Sequence, residues 1–361
     1  MTKRFAVILA GGKGERFWPL STAEHPKQFL SLIGEKNLLA QAVERLEGVV
    51  DTSCIYVITS SELAEVARRS APELPPENII GEPVGRDTAA AIALGAALVA
   101  RQDPEGVMAV LTADHIIGDL ECFRSTLRDA MDLAHSENLL LTIGVKPSFP
   151  STGYGYIQTG EHLADAPAGT VFDRAKRFVE KPDAVTAQQY LKEGSYYWNS
   201  GMFIWSAASI TRAFQAFRPP LYEMICALNA AADRRDFDQT FERIYEGLEK
   251  ISIDYAVMER AENVGMARGV FAWDDVGSWP ALDNHFTHDD AGNVVIGDGV
   301  TLEASDNIIY SKDRLTAVIG LSDVMVVQAD GVTLVCPKDQ AQQIKELVQR
   351  LRQDARYARL T

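Results

Sequence analysis

The sequence predicts an α/β fold: a doubly wound, mainly parallel, Rossmann-like sheet carrying a small C-terminal β-helix-like module. Three observations predict it. Apolar runs of strand length alternate with helical patterns through the first 150 residues, and the first run empties directly into a glycine-rich turn. From about Gly292 the texture changes to short Val- and Ile-rich segments broken by Gly-Asp-Gly, Ser-Asp-Asn and Ala-Asp-Gly. Strand–helix alternation builds parallel sheets whose ligands sit at the carboxyl ends of strands.

The first strand is Phe5–Leu9, an apolar run too short for a membrane span or the apolar core of a leader. Helical spacing near Asn37–Leu46 and Ser61–Arg69 flanks a second strand, Ile55–Thr59. Ile79–Ile80 precedes an alanine-rich helix after Asp87-Thr88; Val107–Leu111, a helix near Leu120–His135 and Leu139–Val145 complete the alternation. Beyond Pro150, aromatic and β-branched residues in Gly153–Gln158, Val171–Val179 and Tyr196–Trp205 predict added strands that build a second wall on the first sheet. Helices are expected at Ile210–Phe217 and Leu221–Ala232, broken apart at Pro219-Pro220. The segments after Gly292 fit a few turns of β-helix or a small β-sandwich, the repeat being too irregular to choose. Ile344, Leu347, Val348 and Leu351 give a last helix, near Lys338–Arg352, one apolar face for that module or a partner subunit. The boundaries are a large domain over 1–287, with halves 1–150 and 151–287, and a module over 288–361.

At 361 residues the chain exceeds a typical single core. With 47% hydrophobic and 24% charged residues it has an ordinary soluble, globular composition. The 35 basic against 50 acidic residues leave a net charge of −15, which argues against a nucleic-acid or anionic-membrane surface. An acidic protein that binds phosphate must then supply local cations or a metal. Cys54, Cys122, Cys226 and Cys336 lie far apart with no C-x-x-C pair. That suits reduced, mostly buried thiols and a cytoplasmic location rather than disulfides or zinc. The β-rich tail and last helix offer a surface for a homodimer.

The chemistry starts at Ala10-Gly11-Gly12-Lys13-Gly14-Glu15-Arg16, where backbone N–H groups can close on phosphate oxygens and Lys13 and Arg16 add cations. The spacing excludes a P-loop, which needs Gly-Lys-Ser/Thr after four intervening residues, and a Rossmann dinucleotide fingerprint, because Phe17 stands where the third glycine should be. An NAD-dependent dehydrogenase fails on the same ground. Lys27, after Pro26, is one loop further on and can reach a phosphate as a mobile charge. Val107–Leu111 leads into Asp114-His115, and Phe271–Trp273 into Asp274-Asp275. One aspartate at each of two strand ends can hold Mg²⁺ while phosphate oxygens and water complete an octahedron; each taken alone is more often a helix N-cap than a ligand. His115 is read as positioning its loop rather than as a general base. In the later half, Gly155, Glu180, Lys181 and Asn199 form a second set: Glu180 and Asn199 can bond sugar hydroxyls, Gly155 permits close backbone approach and Lys181 can neutralise a phosphate. The plain alternative is a hairpin with a surface ion pair.

In this order the chain resembles the sugar-nucleotidyltransferases, within them the mannose-1-phosphate guanylyltransferase branch. The matching segments are LAGGKGERFWPLS at Leu9–Ser21, PKQF at Pro26–Phe29, EPVGRDTAAAI at Glu82–Ile92 and LTADHII at Leu111–Ile117. They continue with GYGYI at Gly153–Ile157, FVEKP at Phe178–Pro182, WNSGMF at Trp198–Phe203, ISIDYAVME at Ile251–Glu259 and DDVGSW at Asp274–Trp279. One departure is visible: the family commonly has a proline in the segment where this chain reads Thr88-Ala89-Ala90-Ala91.

The resemblance implies the nucleotide-diphospho-sugar transferase fold and conversion of GTP and α-D-mannose 1-phosphate to GDP-mannose and pyrophosphate, by in-line attack on the α-phosphorus. It implies nucleotide-binding roles for Leu9, Ala10, Gly11, Gly12, Gly14, Glu15, Arg16, Lys27, Asp87, Thr88 and Asp114. Arg16 and Lys27 help pyrophosphate leave, Asp114 and Asp275 hold Mg²⁺, and Gly155, Glu180, Lys181 and Asn199 hold the sugar phosphate. The phosphomannose-isomerase module of long family members is missing from these 361 residues, so no isomerase activity is expected. Two alternatives stand beside this: a sister enzyme using another hexose 1-phosphate or NTP, and a silent paralogue that binds GDP-mannose and regulates a partner.

Overall fold

The computed structural model describes residues 3–361. In chain order the strands are β1 (Arg4–Leu9), β2 (Ile55–Ser60), β3 (Ile79–Glu82), β4 (Val107–Thr112), β5 (Ile116–Ile117), β6 (Leu140–Val145), β7 (Tyr156–Asp165), β8 (Val171–Val179), β9 (Tyr196–Ser206), β10 (Val264–Gly269), β11 (Trp273–Asp274), β12 (Val294–Leu302), β13 (Ile308–Ile319), β14 (Val324–Ala329) and β15 (Val332–Pro337). The α-helices are α1 (Leu38–Glu44), α2 (Ala64–Ser70), α3 (Asp87–Gln102), α4 (Leu120–Ser136), α5 (Ala184–Glu193), α6 (Ala207–Phe217), α7 (Pro219–Ala230), α8 (Arg234–Tyr245) and α9 (Ile344–Gln353).

The chain divides into two compact units. The first runs to Gly11 and takes in Ala40–Ala113 and Ile117–Trp273; it holds a nine-stranded sheet in the order β3-β2-β1-β4-β9-β6-β10-β8-β7. β1 pairs in parallel with β2 and β4, β2 with β3, and β6 with β10. β9 runs antiparallel between β4 and β6, and β8 antiparallel between β10 and β7. Seven strands therefore point one way and two the other. The central strands are apolar on both faces, as helix-covered parallel strands must be, with β1 reading Phe5, Ala6, Val7 and Ile8 at complete burial.

The aromatic strands do not form a second wall. They extend the same sheet, and β7 returns to pair with β9, Tyr156 opposite Trp198, so that the start of β7, the end of β8 and the start of β9 meet. Pro219 opens α7 at a position where a missing N–H costs nothing, so the Pro219-Pro220 pair starts a helix as well as separating two. All four cysteines are free thiols, but only Cys54 is buried; Cys122 and Cys336 are partly exposed and Cys226 is exposed, against the expectation of mostly buried thiols.

The second unit comprises Gly12–Leu39, Asp114–Ile116 and Asp274–Thr361. Its sheet runs β12-β13-β14-β15, the first three strands parallel and the last antiparallel. Parallel stacking of consecutive short strands is the β-helix alternative rather than the sandwich. The rungs are unequal, Val294 stacking on Ile308 and Ile308 on Met325, which is why no clean repeat is legible. Buried Asn293 and Asn307 stitch successive turns: Asn307 donates through N and Nδ2 to Asn293 Oδ1 at 3.1 and 2.9 Å, and Val324 N donates to Asn307 Oδ1 at 3.0 Å. α9 sets Ile344 and Val348 into one core with Ile308, Met325, Leu334, Phe17, Trp18 and Trp279.

Candidate active site

In the second unit, the stretch from Gly12 to Phe29 wraps around one buried lysine. Lys27 is 4% exposed, and its ammonium donates to Asp114 Oδ2 at 3.0 Å and to the Asp275 backbone carbonyl at 2.5 Å. A buried charge needs such partners. The Phe17 ring lies 5.8 Å from the same nitrogen. Gly14 makes the approach possible: at φ +59 it opens the 3-10 turn Glu15–Phe17, and a Cβ there would stand 2.5 Å from the Lys27 Cβ. Burial pushes the Asp114 carboxyl up, but Lys27, and His115 with Nε2 at 4.0 Å, more than offset this and hold it below the usual carboxylate range. Neither aspartate caps a helix: Asp114 follows β4 before a two-residue strand, and the 3-10 turn after Asp275 is capped at Ser278.

The Asp274-Asp275 pair divides its labour. Asp274 accepts from Val276 N at 2.7 Å and from His285 Nε2 at 2.9 Å, holding the turn, while Asp275 turns its backbone carbonyl to Lys27. Val276 carries φ +45, a costly conformation for a β-branched residue and one that clusters at functional sites. Arg16 is exposed and only loosely tied, its Nη1 lying 3.4 Å from the Gly277 carbonyl. Gly12 accepts from Gln28 Nε2 at 3.4 Å.

In the first unit, Leu9 ends β1 and Ala10 is pinned to β2, its N–H donating to Ile58 O at 2.8 Å and its carbonyl accepting from Thr59 Oγ1 at 2.9 Å; Gly11 follows and is exposed. Asp87 opens α3 at φ +66 with Thr88 N bonded to its Oδ1 at 2.8 Å, and Thr88 Oγ1 accepts from Ile253 N at 2.8 Å. Nearby, burial raises the Glu82 carboxyl to about 7, and the Tyr245 hydroxyl donates to it.

The same unit brings Gly155, Glu180 and Asn199 together. The Gly155 carbonyl accepts from Asn199 N at 2.8 Å, and a Cβ on Gly155 would stand 2.6 Å from Glu180 Oε2. Asn199 is fully engaged: its Oδ1 accepts from Thr142 Oγ1 at 3.1 Å and Gly201 N at 3.2 Å, and its Nδ2 donates to Asp254 Oδ1 at 2.9 Å. Asp254 heads a single π-helical turn, Asp254–Met258. Burial first, then the neighbouring Glu180 carboxylate, raises its carboxyl to about 6. Lys181, at φ +46, pairs with Glu180 Oε1 at 2.7 Å; the lysine side chain is 62% exposed and the glutamate 18%.

These two clusters sit in a chain whose residues 5–291 match a model described as nucleotidyl transferase, and whose residues 297–351 match one described as a MannoseP isomerase/GMP-like β-helix domain. The chain belongs to the nucleotidyl transferase family, among the mannose-1-phosphate guanylyltransferases. It is 38% identical over 362 residues to the mannose-1-phosphate guanylyltransferase of Escherichia coli K12, covering 99% of this chain and 75% of that protein. A mannose-1-phosphate guanylyltransferase of Klebsiella pneumoniae is 39% identical over 353 residues, 97% of this chain and 74% of its own. A solved Thermus thermophilus structure, described as a mannose-1-phosphate geranyltransferase, superposes with a TM-score of 0.88 at 37% identity over 97% of this chain and 99% of that one.

Against this nucleotidyl transferase background, sequence reasoning left Asp254 without a role, although it lies inside the quoted segment Ile251–Glu259. Its only sequence signal is an acidic residue in a mainly apolar run, Ile251-Ser-Ile-Asp-Tyr-Ala-Val-Met258. Tyr245, the partner of Glu82, carries no local signal at all. For Lys181 the structure shows the ion pair of the plain alternative, with Glu180, on a side chain that is largely exposed.

Proposed function

We propose that the chain transfers a guanylyl group from GTP to α-D-mannose 1-phosphate, giving GDP-mannose and pyrophosphate. The observation that carries the chemistry is the buried Lys27 ammonium bonded at once to Asp114 and to the Asp275 backbone. The sugar phosphate is already a nucleophile, so no side chain needs activation; the protein's work is positioning and charge neutralisation at the α-phosphorus. Backbone at Gly11, Gly12 and Gly14 with Arg16 and Lys27 takes the triphosphate, and Arg16, exposed and loosely held, is free to follow the departing pyrophosphate. Gly155, Glu180, Lys181 and Asn199 take the sugar phosphate, and Asp87 and Thr88 belong to the nucleotide side. The names of the relatives support guanosine and mannose.

Magnesium fits the donors present. Asp114 and Asp275 supply hard oxygens, and among the described residues no group of three or more His, Cys, Asp or Glu is arranged to hold an ion. A pair of carboxylates completed by substrate phosphates is how Mg²⁺ is usually held. When bound, the ion would neutralise phosphate charge. Asp114, kept ionised by Lys27 and His115, is ready to coordinate without first losing a proton.

The deciding experiment is pyrophosphate release over a matrix of hexose 1-phosphates and the four NTPs, with and without Mg²⁺. Highest kcat/KM for GTP with mannose 1-phosphate is the expected result. A higher value for another pair transfers the assignment to a sister specificity, and tight GDP-mannose binding without turnover points to a regulatory paralogue. The homodimer and the cytoplasmic location remain part of the proposal. Val300, Leu302, Leu315, Ile319 and Leu321 are exposed apolar residues of the β-rich module; Leu302→Lys with Ile319→Lys should halve the mass seen by light scattering. No helix of the described residues is long and apolar enough to cross a membrane.

A further inference from the structure

The turn that carries Arg16 is backed by residues more than 300 positions later. Glu15 lies between Gly14 and Arg16, and its side chain is only 11% exposed. Arg352, on α9 and 30% exposed, donates through Nη1 to Glu15 Oε1. Two residues beyond Arg16, Trp18 is 5% exposed and its indole Nε1 donates to the Leu360 carbonyl at 2.6 Å. Ile344 and Val348 of α9 share one apolar core with Phe17 and Trp18. Every side chain of the segment Glu15–Trp18 except Arg16 is therefore held from behind.

A loop that grips a polyphosphate with cations has an evident problem in a carboxylate of its own. Left unpaired, Glu15 would repel the ligand that Arg16 and Lys27 attract, and in a partly dehydrated turn the repulsion is not screened away. Pairing with Arg352 both cancels the charge and fixes where it points. Trp18, tied to Leu360, fixes the other end of the turn. We propose that Arg352 is a positioning residue for nucleotide binding, acting through Glu15 to hold the Gly14–Trp18 turn in the conformation that presents Arg16. It does not touch substrate. The inference rests on the assignment of this loop to the nucleotide phosphates.

Steady-state kinetics of Arg352→Gln, Arg352→Lys, Glu15→Gln and the Glu15→Gln/Arg352→Gln double variant test it, with both KM values measured for each. Wild-type turnover of GTP with mannose 1-phosphate is the control; its absence removes the functional assignment and not this inference alone. Arg352→Gln should raise KM for GTP about tenfold and leave KM for mannose 1-phosphate within about twofold. Glu15→Gln should raise KM for GTP in the same way, and the double variant should be no worse than Arg352→Gln, because each loses the same bond; Arg352→Lys should stay within about threefold of wild type. An arginine acting apart from Glu15 would give losses that add. An unchanged KM for GTP in Arg352→Gln, a defect that falls equally on both substrates, or losses that add in the double variant overturn the proposal. If Arg352→Gln does not fold, Trp18→Phe decides in its place: an aromatic ring stays in the core and the indole N–H bond to Leu360 is lost. A KM rise confined to GTP supports the proposal, and an unchanged KM overturns it.

Discussion

The Lys27 cluster and the Asn199 cluster solve opposite electrostatic problems. Around Lys27 a buried cation meets one carboxylate and one carbonyl, and the carboxyl of Asp114 is held ionised in spite of burial. Around Asn199 lie two carboxyls, Glu180 paired with an exposed lysine and Asp254 with the amide, and burial with like charge lifts Asp254 to about 6. The Asp114 carboxyl is held below the usual carboxylate range, whereas Asp254 titrates closer to neutrality. Phosphates demand a fixed positive charge, whereas sugar hydroxyls need acceptors whose hydrogen bonds are directional rather than strongly charged.

The largest effects are expected where charge is fixed. Lys27→Ala should lower kcat by ~10²–10³, the usual cost of losing a preorganised charge partner at a reacting phosphate. Near wild-type turnover in a pyrophosphate-release assay would dissolve the contrast between the clusters. Gly14→Ala is next. Its φ of +59 alone costs a side chain about 1–2 kcal/mol, and its Cβ would meet the Lys27 Cβ and backbone N, neither of which can swing aside. Loss of thermal stability together with kcat is expected, measured by melting curve and by turnover below the transition.

Asp254→Asn sharpens the other half. A carboxyl raised from its ordinary value to about 6 in the folded protein stabilises the fold when protonated. That contribution is complete below the ordinary Asp range, near 3.9, and is lost as pH rises through about 6. Asp254→Asn should flatten stability against pH over that window relative to wild type; Glu82, raised to about 7, adds a slope of the same sign that remains in both proteins. Below the same pH the protonated carboxyl accepts less well from Asn199 Nδ2. The sugar phosphate loses its own second proton in the same range with either protein, so the signature is a difference: across about 6, KM for mannose 1-phosphate should change about fivefold more in wild type than in the variant. A stability difference that is flat with pH between the two proteins would place the titration elsewhere.

The two clusters were also unequally legible in the sequence. Lys27, Asp114 and Asp275 follow apolar runs or a proline-led turn, so strand-end chemistry pointed at each, although only the fold shows that one ammonium touches both aspartate loops. The parallel core was readable because its strands are apolar on both faces; the return of β7 onto β9 was not, since pairing over some forty residues leaves no local periodicity. Asp254 was hidden for the same reason: its meaning comes from Asn199, 55 positions away in sequence. Arg352 looked like an ordinary basic residue in the last turn of an amphipathic helix, and only the placement of Glu15 gives it a partner.

The mildest test is Gly155→Ala, the counterpart of Gly14→Ala. Both glycines leave room for a functional side chain, but the atom facing Gly155 is Glu180 Oε2, the free end of a side chain with several torsions. It can rotate away, at a cost near that of an off-rotamer angle, about 0.5–1.5 kcal/mol. Such a rotation carries the carboxylate off its place beside Lys181 and off the sugar it is proposed to hold. KM for mannose 1-phosphate should rise about two- to tenfold, with KM for GTP and the melting temperature near wild type. A stability loss as large as that of Gly14→Ala would mean that the Glu180 carboxylate is clamped as rigidly as Lys27, and that the Asn199 cluster is as preorganised as the Lys27 cluster.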